Sequence, residues 1–229
     1  AADLILLCVP DRQISAVCGE LVANGRLRAN QVLLHTSGAS GAELLADAST
    51  AGVAVGSLHP LQSFADASTA AENLPGSAFA IDGDPAATTA AAALAQSFGG
   101  QILIVPPAER ALYHAAAVIT SNYLVTLLAT AQTLFARWAP DETAARAAML
   151  PLAAGTLRNI NRQGAKAALT GPIVRGDATT VEKHLAALPK ELIPLYRQLG
   201  LATLSLAEDS LTDQQIQALQ RCLHAPSNV

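Results

Sequence analysis

Polar side chains follow three apolar runs that have the length of β-strands. The three polar segments are residues 9–11 (Val-Pro-Asp), 35–38 (His-Thr-Ser-Gly) and 59–63 (His-Pro-Leu-Gln-Ser). Histidine can transfer protons near neutral pH, and small residues such as Ser37 and Gly38 let a ligand approach the backbone. Ligands of open α/β sheets bind at the carboxyl ends of the strands, so these segments predict one binding edge. The alternative for each histidine is a hydrogen-bonded structural residue.

A second polar group interrupts the long uncharged stretch between Arg110 and Arg137. His114 and Ser121 are seven residues apart, so on a helix they lie within about 20° of one face, and Asn122 lies about 80° from His114. In this arrangement His114 could donate a proton while Ser121 and Asn122 position a substrate oxygen or nitrogen. The alternative is a polar seam between helices, with each group satisfied by backbone.

A third candidate is the loop of residues 169–180, which Gly-Pro and Gly-Asp pairs separate from the helices on either side. Arg175 could bind a carboxylate or phosphate through two parallel hydrogen bonds, or form an ordinary ion pair. Asp177 is expected to cap a helix that begins near Thr179. The sequence has no metal-type spacing of His, Cys, Asp and Glu and no GxSxG elbow.

The predicted secondary structure that positions these residues changes along the chain, from alternating strands and helices to helices alone. Apolar runs predict strands over residues 3–9, 31–35, 53–58, 79–82 and 101–105, with helices over 12–23, 42–50 and 86–97 between them. This alternation is typical of a parallel α/β sheet. Beyond Pro106-Pro107 only helices are predicted, over residues 108–136, 141–163, 178–188, 190–207 and 212–223. We therefore predict one domain over residues 1–106 and a helical domain over 107–229.

Composition excludes several classes of protein. The chain has 229 residues, of which 51% are hydrophobic and 14% charged, with a net charge of −4. This balance is the reverse of a disordered chain, and it argues against a nucleic-acid binder. Three cysteines without paired spacing favour a reducing, cytoplasmic compartment, with each cysteine a small buried side chain. The polar groups of the uncharged stretch argue against a membrane span and for a helix buried between domains or subunits.

The first residues of the sequence suggest where a phosphate-binding loop would lie. An acidic residue, Asp3, leads directly into the first apolar run, without the features of a signal peptide. No glycine-rich phosphate loop of the GxGxxG type follows any predicted strand. We therefore expect further residues before Ala1, and any such loop would lie there.

Several long motifs resemble a bacterial family of Rossmann-like NADP-binding proteins with a domain of unknown function, DUF2520. They are ADLILLCVPD (2–11), LLHTSG (33–38), VGSLHPLQSF (55–64), LYHAAAVITSNYLVTLL (112–128) and ALTGPIVRGDATTVEKHL (168–185). The family is similar to 6-phosphogluconate dehydrogenases and pyrroline-5-carboxylate reductases. The resemblance implies a Rossmann-like parallel sheet whose first strands are missing here, followed by an all-α domain like the carboxyl-terminal domain of 6-phosphogluconate dehydrogenases.

The resemblance also implies roles for the candidate residues. Val9 and Pro10 would lie near the nicotinamide ribose of NADP, and residues His35, Thr36, Ser37 and Gly38 beside its ring. His114, Ser121 and Asn122 would be catalytic and face a cleft between the domains. The loop around Asp177, Thr179 and Thr180 would meet the substrate. From their residue types and positions alone, we also predict His59 and Arg175 as substrate-binding residues. The helical domain would pair with a second copy in a homodimer.

Two differences between this sequence and related enzymes restrict the activity that we expect. Pyrroline-5-carboxylate reductases have consecutive glycines before their threonine-rich turn, where this chain has residues 175–178 (Arg-Gly-Asp-Ala). The hydroxyacid branch uses a lysine on the long helix, where this chain has none and His114 lies nearest. We expect an NADP-dependent oxidoreductase that transfers hydride between nicotinamide and a small carbonyl or imine. The alternative is a non-catalytic dimeric protein that binds NADP as a sensor or scaffold.

Overall fold

The computed structural model describes residues 2–224, which group into two compact units divided between Ala131 and Gln132. The last strand ends at Ile104, close to the predicted change from strands to helices at Pro106-Pro107. The compact units divide further along, near Ala131. The predicted domain boundary between residues 106 and 107 therefore stays a prediction.

The first unit contains the five predicted strands and helices on both sides of them. The strands are β1 (Leu4–Leu7), β2 (Val32–His35), β3 (Ala54–Leu61), β4 (Ala78–Gly83) and β5 (Gln101–Ile104). The helices are α1 (Asp11–Ala23), α2 (Ala46–Thr50), α3 (Ala67–Asn73), α4 (Pro85–Ser97) and α5 (Arg110–Val118), and α6 (Leu124–Phe135) begins in this unit and continues past its last residue, Ala131. Helix α3 was not predicted, and β3 continues through His59 and Pro60 instead of ending at Leu58.

The sheet has the order β1-β2-β3-β4-β5 and is only partly parallel. Strands β1, β2 and β3 run parallel, whereas β4 is antiparallel to β3 and parallel to β5. The predicted Rossmann-like α/β fold is therefore confirmed, and three of the four strand pairings are parallel as predicted, whereas the β3–β4 pairing is antiparallel. A parallel connection needs a helix that returns along the sheet. Helix α3 is only about 10 Å long, against about 26 Å for β3, so the chain turns back beside β3.

Two apolar clusters cover the two faces of the sheet. One packs α1 and α2 against the strands through residues such as Ile14, Cys18 and Leu45. The other packs α4 through Ala87, Ala91 and Ala95, which lie one helical turn apart and are completely buried. Alanine at this spacing lets the α4 backbone approach the strands closely, which accounts for the abundance of alanine in this segment.

The described residues of the second unit form helices joined by loops, without a strand. It contains α7 (Glu142–Ala168), α8 (Ala178–Ala187), α9 (Ile193–Ala207) and α10 (Asp213–His224). Helix α7 kinks at Gly164, next to the predicted helix end at residue 163. The core of this unit joins α8, α9 and α10 through the buried residues Val181, Leu204, Leu219 and Leu223.

The cysteines agree with expectation at two of three positions, and burial of the uncharged stretch between domains or subunits stays a prediction. Cys18 and Cys222 are buried, but Cys8, just beyond the end of β1, is exposed, so the expectation of burial is wrong for it. Among the described residues one helical stretch, Pro107–Phe135, is long and apolar enough to cross a membrane by length and composition alone. None of its most apolar window is buried.

Candidate functional site

A row of buried polar side chains crosses the sheet of the first unit. His35 of β2 is level with Ser57 of β3, which is level with Asp82 of β4, and all three are at most 5% exposed. The carboxylate of Asp82 accepts hydrogen bonds from the Ser57 hydroxyl, from the Ala42 amide at 3.0 Å and from Arg110 Nη2 at 2.8 Å. Asp82 therefore ties β3, the segment after β2 and the start of α5 together.

Arg110 is a functional candidate that the sequence reasoning missed. Its guanidinium is 1% exposed and forms a buried ion pair with Asp82. Nη2 also donates to the Ser57 hydroxyl, whereas Nε and Nη1 are buried without a hydrogen-bond partner among the described residues. Its one signal in the sequence is that Arg110 is the last charge before the uncharged stretch.

The predicted cofactor residues meet at the carboxyl ends of β1 and β2. The Ser37 hydroxyl donates to Asp11 Oδ2 at 2.7 Å, which joins the turn after β2 to the start of α1, just beyond Val9 and Pro10. Thr36 is half-buried in this turn, and Gly38 is buried. The structure thus brings the predicted group together around one turn.

Both ring nitrogens of His35 form hydrogen bonds to the backbone of this turn. Its Nδ1 accepts from the Ser37 amide at 3.1 Å, so Nε2 carries the proton and donates to the Gly41 carbonyl at 2.8 Å. Burial lowers the pKa of His35 and keeps its ring neutral. A cofactor would therefore meet the backbone of His35 and not its side chain.

Beside this turn, the first unit has a cavity of about 650 Å³. It brings the predicted catalytic residues His114, Ser121 and Asn122 together with His59 on one surface. The remaining lining is part polar (Gln62, Ser63, Thr120) and part apolar (Leu61, Phe64, Ala117, Val118, Leu124, Val125). Such a mixture suits a small organic molecule with a few polar groups. The catalytic and substrate roles themselves stay predictions.

His59 joins the cavity to the turn after β2. A Cβ atom on Gly38 would lie 2.6 Å from His59 Nε2, so only glycine permits the imidazole to lie this close to the backbone. Its Nδ1 is 2.8 Å from the Tyr113 hydroxyl, and its ring centroid is 6.4 Å from that of His114. Burial, followed by electrostatic interactions with His114 and Arg110, lowers the pKa of His59 to about 4. The ring is therefore neutral near pH 7.

A π-helical turn carries the polar residues of the long helix. Residues Ile119–Tyr123 form this turn between α5 and α6, where the sequence predicted one continuous α-helix. A π-turn holds one residue more than an α-turn, and such turns are frequent at functional sites. Ser121 and Asn122 both lie within it and both line the cavity with His114. The angles between His114, Ser121 and Asn122 about the helix axis therefore differ from those expected for a regular α-helix.

The other predicted substrate residues lie in the second unit. Asp177 caps α8, as expected, by accepting from the Thr180 amide at 3.0 Å and from the Thr180 hydroxyl at 2.6 Å. These bonds lower the pKa of Asp177. Arg175 is exposed, and its carbonyl accepts from Gln215 Nε2 at 3.2 Å, while Thr179 is exposed on the first turn of α8. Within residues 2–224, no group of three or more His, Cys, Asp or Glu is placed to hold a metal ion.

Known proteins match the chain at the level of family and fold. A family model described as a domain of unknown function (DUF2520) matches residues 77–203, more than half of the chain. A model described as a Rossmann-like domain matches residues 1–60. Comparison with curated proteins gives no match.

Three solved structures illustrate the fold. Protein TM1727 from Thermotoga maritima is 24% identical with a TM-score of 0.62, over 95% of this chain and 77% of that one. A candidate NADP oxidoreductase from Bacteroides fragilis, BF3122, is 22% identical with a TM-score of 0.69, over 90% and 76%. Plasmodium falciparum pyrroline carboxylate reductase, solved with NADP bound, is 9% identical with a TM-score of 0.54, over 97% and 75%.

These likenesses show the fold, a Rossmann-like sheet followed by a helical region. The family itself is shown by the extent of the first match, which covers the strands β4 and β5, the long helix and much of the second unit. The chain therefore belongs to the DUF2520 family.

Proposed function

We propose that the protein is an NADP-dependent oxidoreductase that transfers hydride between nicotinamide and a small carbonyl or imine compound. The observation that carries this proposal is the cavity in the first unit. It places His59 and His114 on one surface, and Gly38 connects that surface to the turn at the carboxyl ends of β1 and β2. Proton-transfer groups next to a strand-end cofactor turn are what hydride transfer to a C=O or C=N bond requires.

The strand ends fit the nicotinamide and ribose end of such a cofactor. Val9 and Pro10 offer apolar surface, Thr36 a hydroxyl and Gly38 a backbone without a side chain. Asp11 Oδ2 accepts a hydrogen bond from the Ser37 hydroxyl, which fixes the carboxylate at the edge of this surface. Bound there, the reduced cofactor would supply a hydride to a substrate in the cavity.

The related structures support a nicotinamide cofactor. The Bacteroides protein is named for NADP, and the Plasmodium reductase was solved with NADP bound. The Plasmodium enzyme is a reductase of a pyrroline, which contains a C=N bond, and this agrees with an imine as an alternative to a carbonyl substrate. The choice of NADP over NAD follows these relatives.

Turnover by the full-length protein tests the proposal. NADPH would be mixed with a panel of small aldehydes, ketones and cyclic imines, and nicotinamide absorbance followed. We expect substrate-dependent loss of that absorbance, and we expect His114→Ala to lower kcat/KM by about 10²-fold or more. His224→Ala, which removes an exposed histidine at the end of α10, is the matched control and should leave turnover unchanged.

Two outcomes would contradict the proposal. Tight NADPH binding without turnover of any compound favours the alternative, a non-catalytic sensor or scaffold. Failure to bind NADPH, measured by calorimetry, excludes both functions. Residues Arg175, Asp177, Thr179 and Thr180 remain predicted substrate contacts, and single alanine variants at these positions should raise KM if they serve that role.

We further propose a cytoplasmic homodimer. The side chains of Leu112, Ile119 and Val125 in the long helix are 73%, 61% and 65% exposed. Exposed apolar surface of this kind usually marks an interaction site, and a second copy of the chain is the partner that the family resemblance implies. Neither a nucleic acid nor a membrane is among the proposed partners.

A further inference from the structure

The hydroxyl of Tyr113 lies behind the imidazole of His59. Tyr113 Oη is 2.8 Å from His59 Nδ1, and the two rings meet edge to face with centroids 5.6 Å apart. His59 lines the cavity, but Tyr113 does not. The imidazole therefore stands between the phenol and any molecule in the cavity.

The chemistry of the two groups sets the direction of their hydrogen bond. A phenol is a stronger acid than a neutral imidazole, so the Tyr113 hydroxyl donates and His59 Nδ1 accepts. A neutral imidazole carries one proton, which then resides on Nε2. Among the described residues Nε2 has no hydrogen-bond partner, and it lies against Gly38 at the edge of the predicted cofactor turn. This N–H is the donor that His59 offers to a bound molecule.

Arg110 supplies a buried positive charge close in the sequence to Tyr113, and Asp82 is its ion-pair partner. Arg110 precedes Tyr113 by three residues on α5, and two of its buried nitrogens have no partner among the described residues. Its charge favours an ionised phenol at Tyr113, against the effect of burial, which raises the pKa of Tyr113. At His59, burial and then electrostatic interactions with His114 and Arg110 favour the neutral ring, and Asp11 of α1 opposes them.

We propose that Tyr113 and His59 form a proton relay to a substrate bound in this cavity, a role that rests on the proposed function. As the carbon of a C=O or C=N bond accepts hydride, its oxygen or nitrogen takes the proton from His59 Nε2. His59 Nδ1 takes the hydroxyl proton of Tyr113 in the same step, so the imidazole stays neutral. The phenolate forms on Tyr113, and the positive charge of Arg110, three residues earlier on α5, favours it. A proton from water to Nε2 and return of the Nδ1 proton to Tyr113 restore the starting state.

His59 touches the substrate in this scheme, and Tyr113 acts through it as a positioning residue. The choice of His59 over His114 rests on their partners. The tautomer of His59 is set by Tyr113, whereas the ring nitrogens of His114 have no hydrogen-bond partner among the described residues. His114 then helps to bind and orient the substrate from its place beside His59 on the same surface, which agrees with the loss of kcat/KM expected for His114→Ala.

Nitrogen-15 NMR of histidine-labelled full-length protein tests the relay without cofactor or substrate. We expect the His59 resonances of the Nε2–H tautomer at neutral pH and loss of that preference in Tyr113→Phe. The second unit offers a matched control, because Tyr196 Oη lies 2.7 Å from His184 Nδ1 in a similar edge-to-face pair. Tyr196→Phe should change His184 and leave His59 unchanged. A proton on Nδ1 of His59 in the unsubstituted protein overturns the relay.

Kinetics with a compound that is turned over supplies the second test. We expect Tyr113→Phe to lower kcat about tenfold or more with little change in KM, and His59→Ala to lower kcat by about 10²-fold or more. Full kcat in Tyr113→Phe rejects the relay and leaves the proposed function standing. Absence of turnover in the unsubstituted protein rejects the proposed function and the relay's catalytic step together, and the NMR tautomer then shows whether the pairing itself exists.

Discussion

The buried ion pair of Arg110 and Asp82 is the residue-scale feature on which the candidate site depends. Removing one partner of such a pair leaves an uncompensated charge in the interior, which costs about 3–5 kcal/mol. We expect Arg110→Met and Asp82→Leu each to lower the free energy of unfolding by about this amount. The double variant should lose much less than the sum, because no charge is left unpaired. Urea denaturation of all four proteins gives the coupling energy.

An exposed pair in the second unit is the control for this experiment. Lys166 and Asp209 also form a salt bridge, but both side chains are largely exposed. Lys166→Met and Asp209→Leu should leave the free energy of unfolding almost unchanged and show no coupling, because solvent screens the pair. Additive losses at Arg110 and Asp82 would instead mean that the buried pair does not organise the site.

The pKa of His59 gives a residue-scale prediction about pH. Its value of about 4 lies below the ordinary 6.5, so between these two values the unfolded chain binds more protons than the folded one. The free energy of unfolding must therefore fall as pH is lowered through this window. The full shift corresponds to about 3 kcal/mol, which solvent screening at the half-buried ring reduces to about 1–2 kcal/mol.

Urea denaturation between pH 7 and about 4 measures this dependence. We expect His59→Asn to show a smaller loss of stability on acidification than the unsubstituted protein, since one titrating group is gone. The buried His35 remains in both proteins, so its contribution cancels. Identical pH slopes for the two proteins would show that His59 titrates normally.

At the scale of elements, the kink in α7 depends on a glycine. Gly164 has φ 79° and ψ 163°, a conformation that is open almost only to glycine. We expect Gly164→Ala to lower the free energy of unfolding by about 1–3 kcal/mol. Gly155 lies in the same helix in ordinary helical geometry, and a Cβ there would meet nothing closer than 3.7 Å. Gly155→Ala should therefore stabilise the protein by about 0.5–1 kcal/mol.

Circular dichroism and urea denaturation of the two variants test this contrast. Both should keep their helical content, because each change affects one residue of a long helix. Equal effects of the two substitutions would mean that α7 straightens at Gly164 without cost.

Elements set by local pattern could be predicted from the sequence, whereas those set by long-range contacts could not. The apolar runs marked all five strands, and the Asp177 cap followed from residue type and spacing. The direction of β4 depends on how the chain returns past β3, which hydrophobic periodicity does not record. The π-turn at Ile119–Tyr123 likewise could not be predicted from a helical projection, because the projection assumes a regular α-helix.

The same distinction applies to the candidate site. His59, His114, Ser121 and Asn122 could be selected because polar residues interrupt apolar segments. Arg110 could not be selected, since a single charge at a helix start is usually exposed, and its partner Asp82 is 28 residues away. Tyr113 was missed for a similar reason, because its contact with His59 spans 54 residues.

At the scale of the whole molecule, the exposed apolar face of the long helix implies that the chain is one subunit of an oligomer. Leu112 and Ile119 lie seven residues apart on α5 and the start of the π-turn, and both are more than half exposed. Charged side chains placed at these positions would be buried against like charges in a symmetric dimer. We therefore expect Leu112→Glu with Ile119→Glu to convert a dimer into a monomer.

Light scattering after gel filtration in detergent-free buffer measures the mass directly. The unsubstituted protein should elute at twice the chain mass of 23.5 kDa, and the double variant at the single mass. Gln217→Glu, which adds one charge at an exposed position of α10, should leave the dimer intact. A monomeric unsubstituted protein contradicts the homodimer. Recovery only in detergent would instead assign the apolar face of Pro107–Phe135 to a membrane, as its length and composition alone would allow.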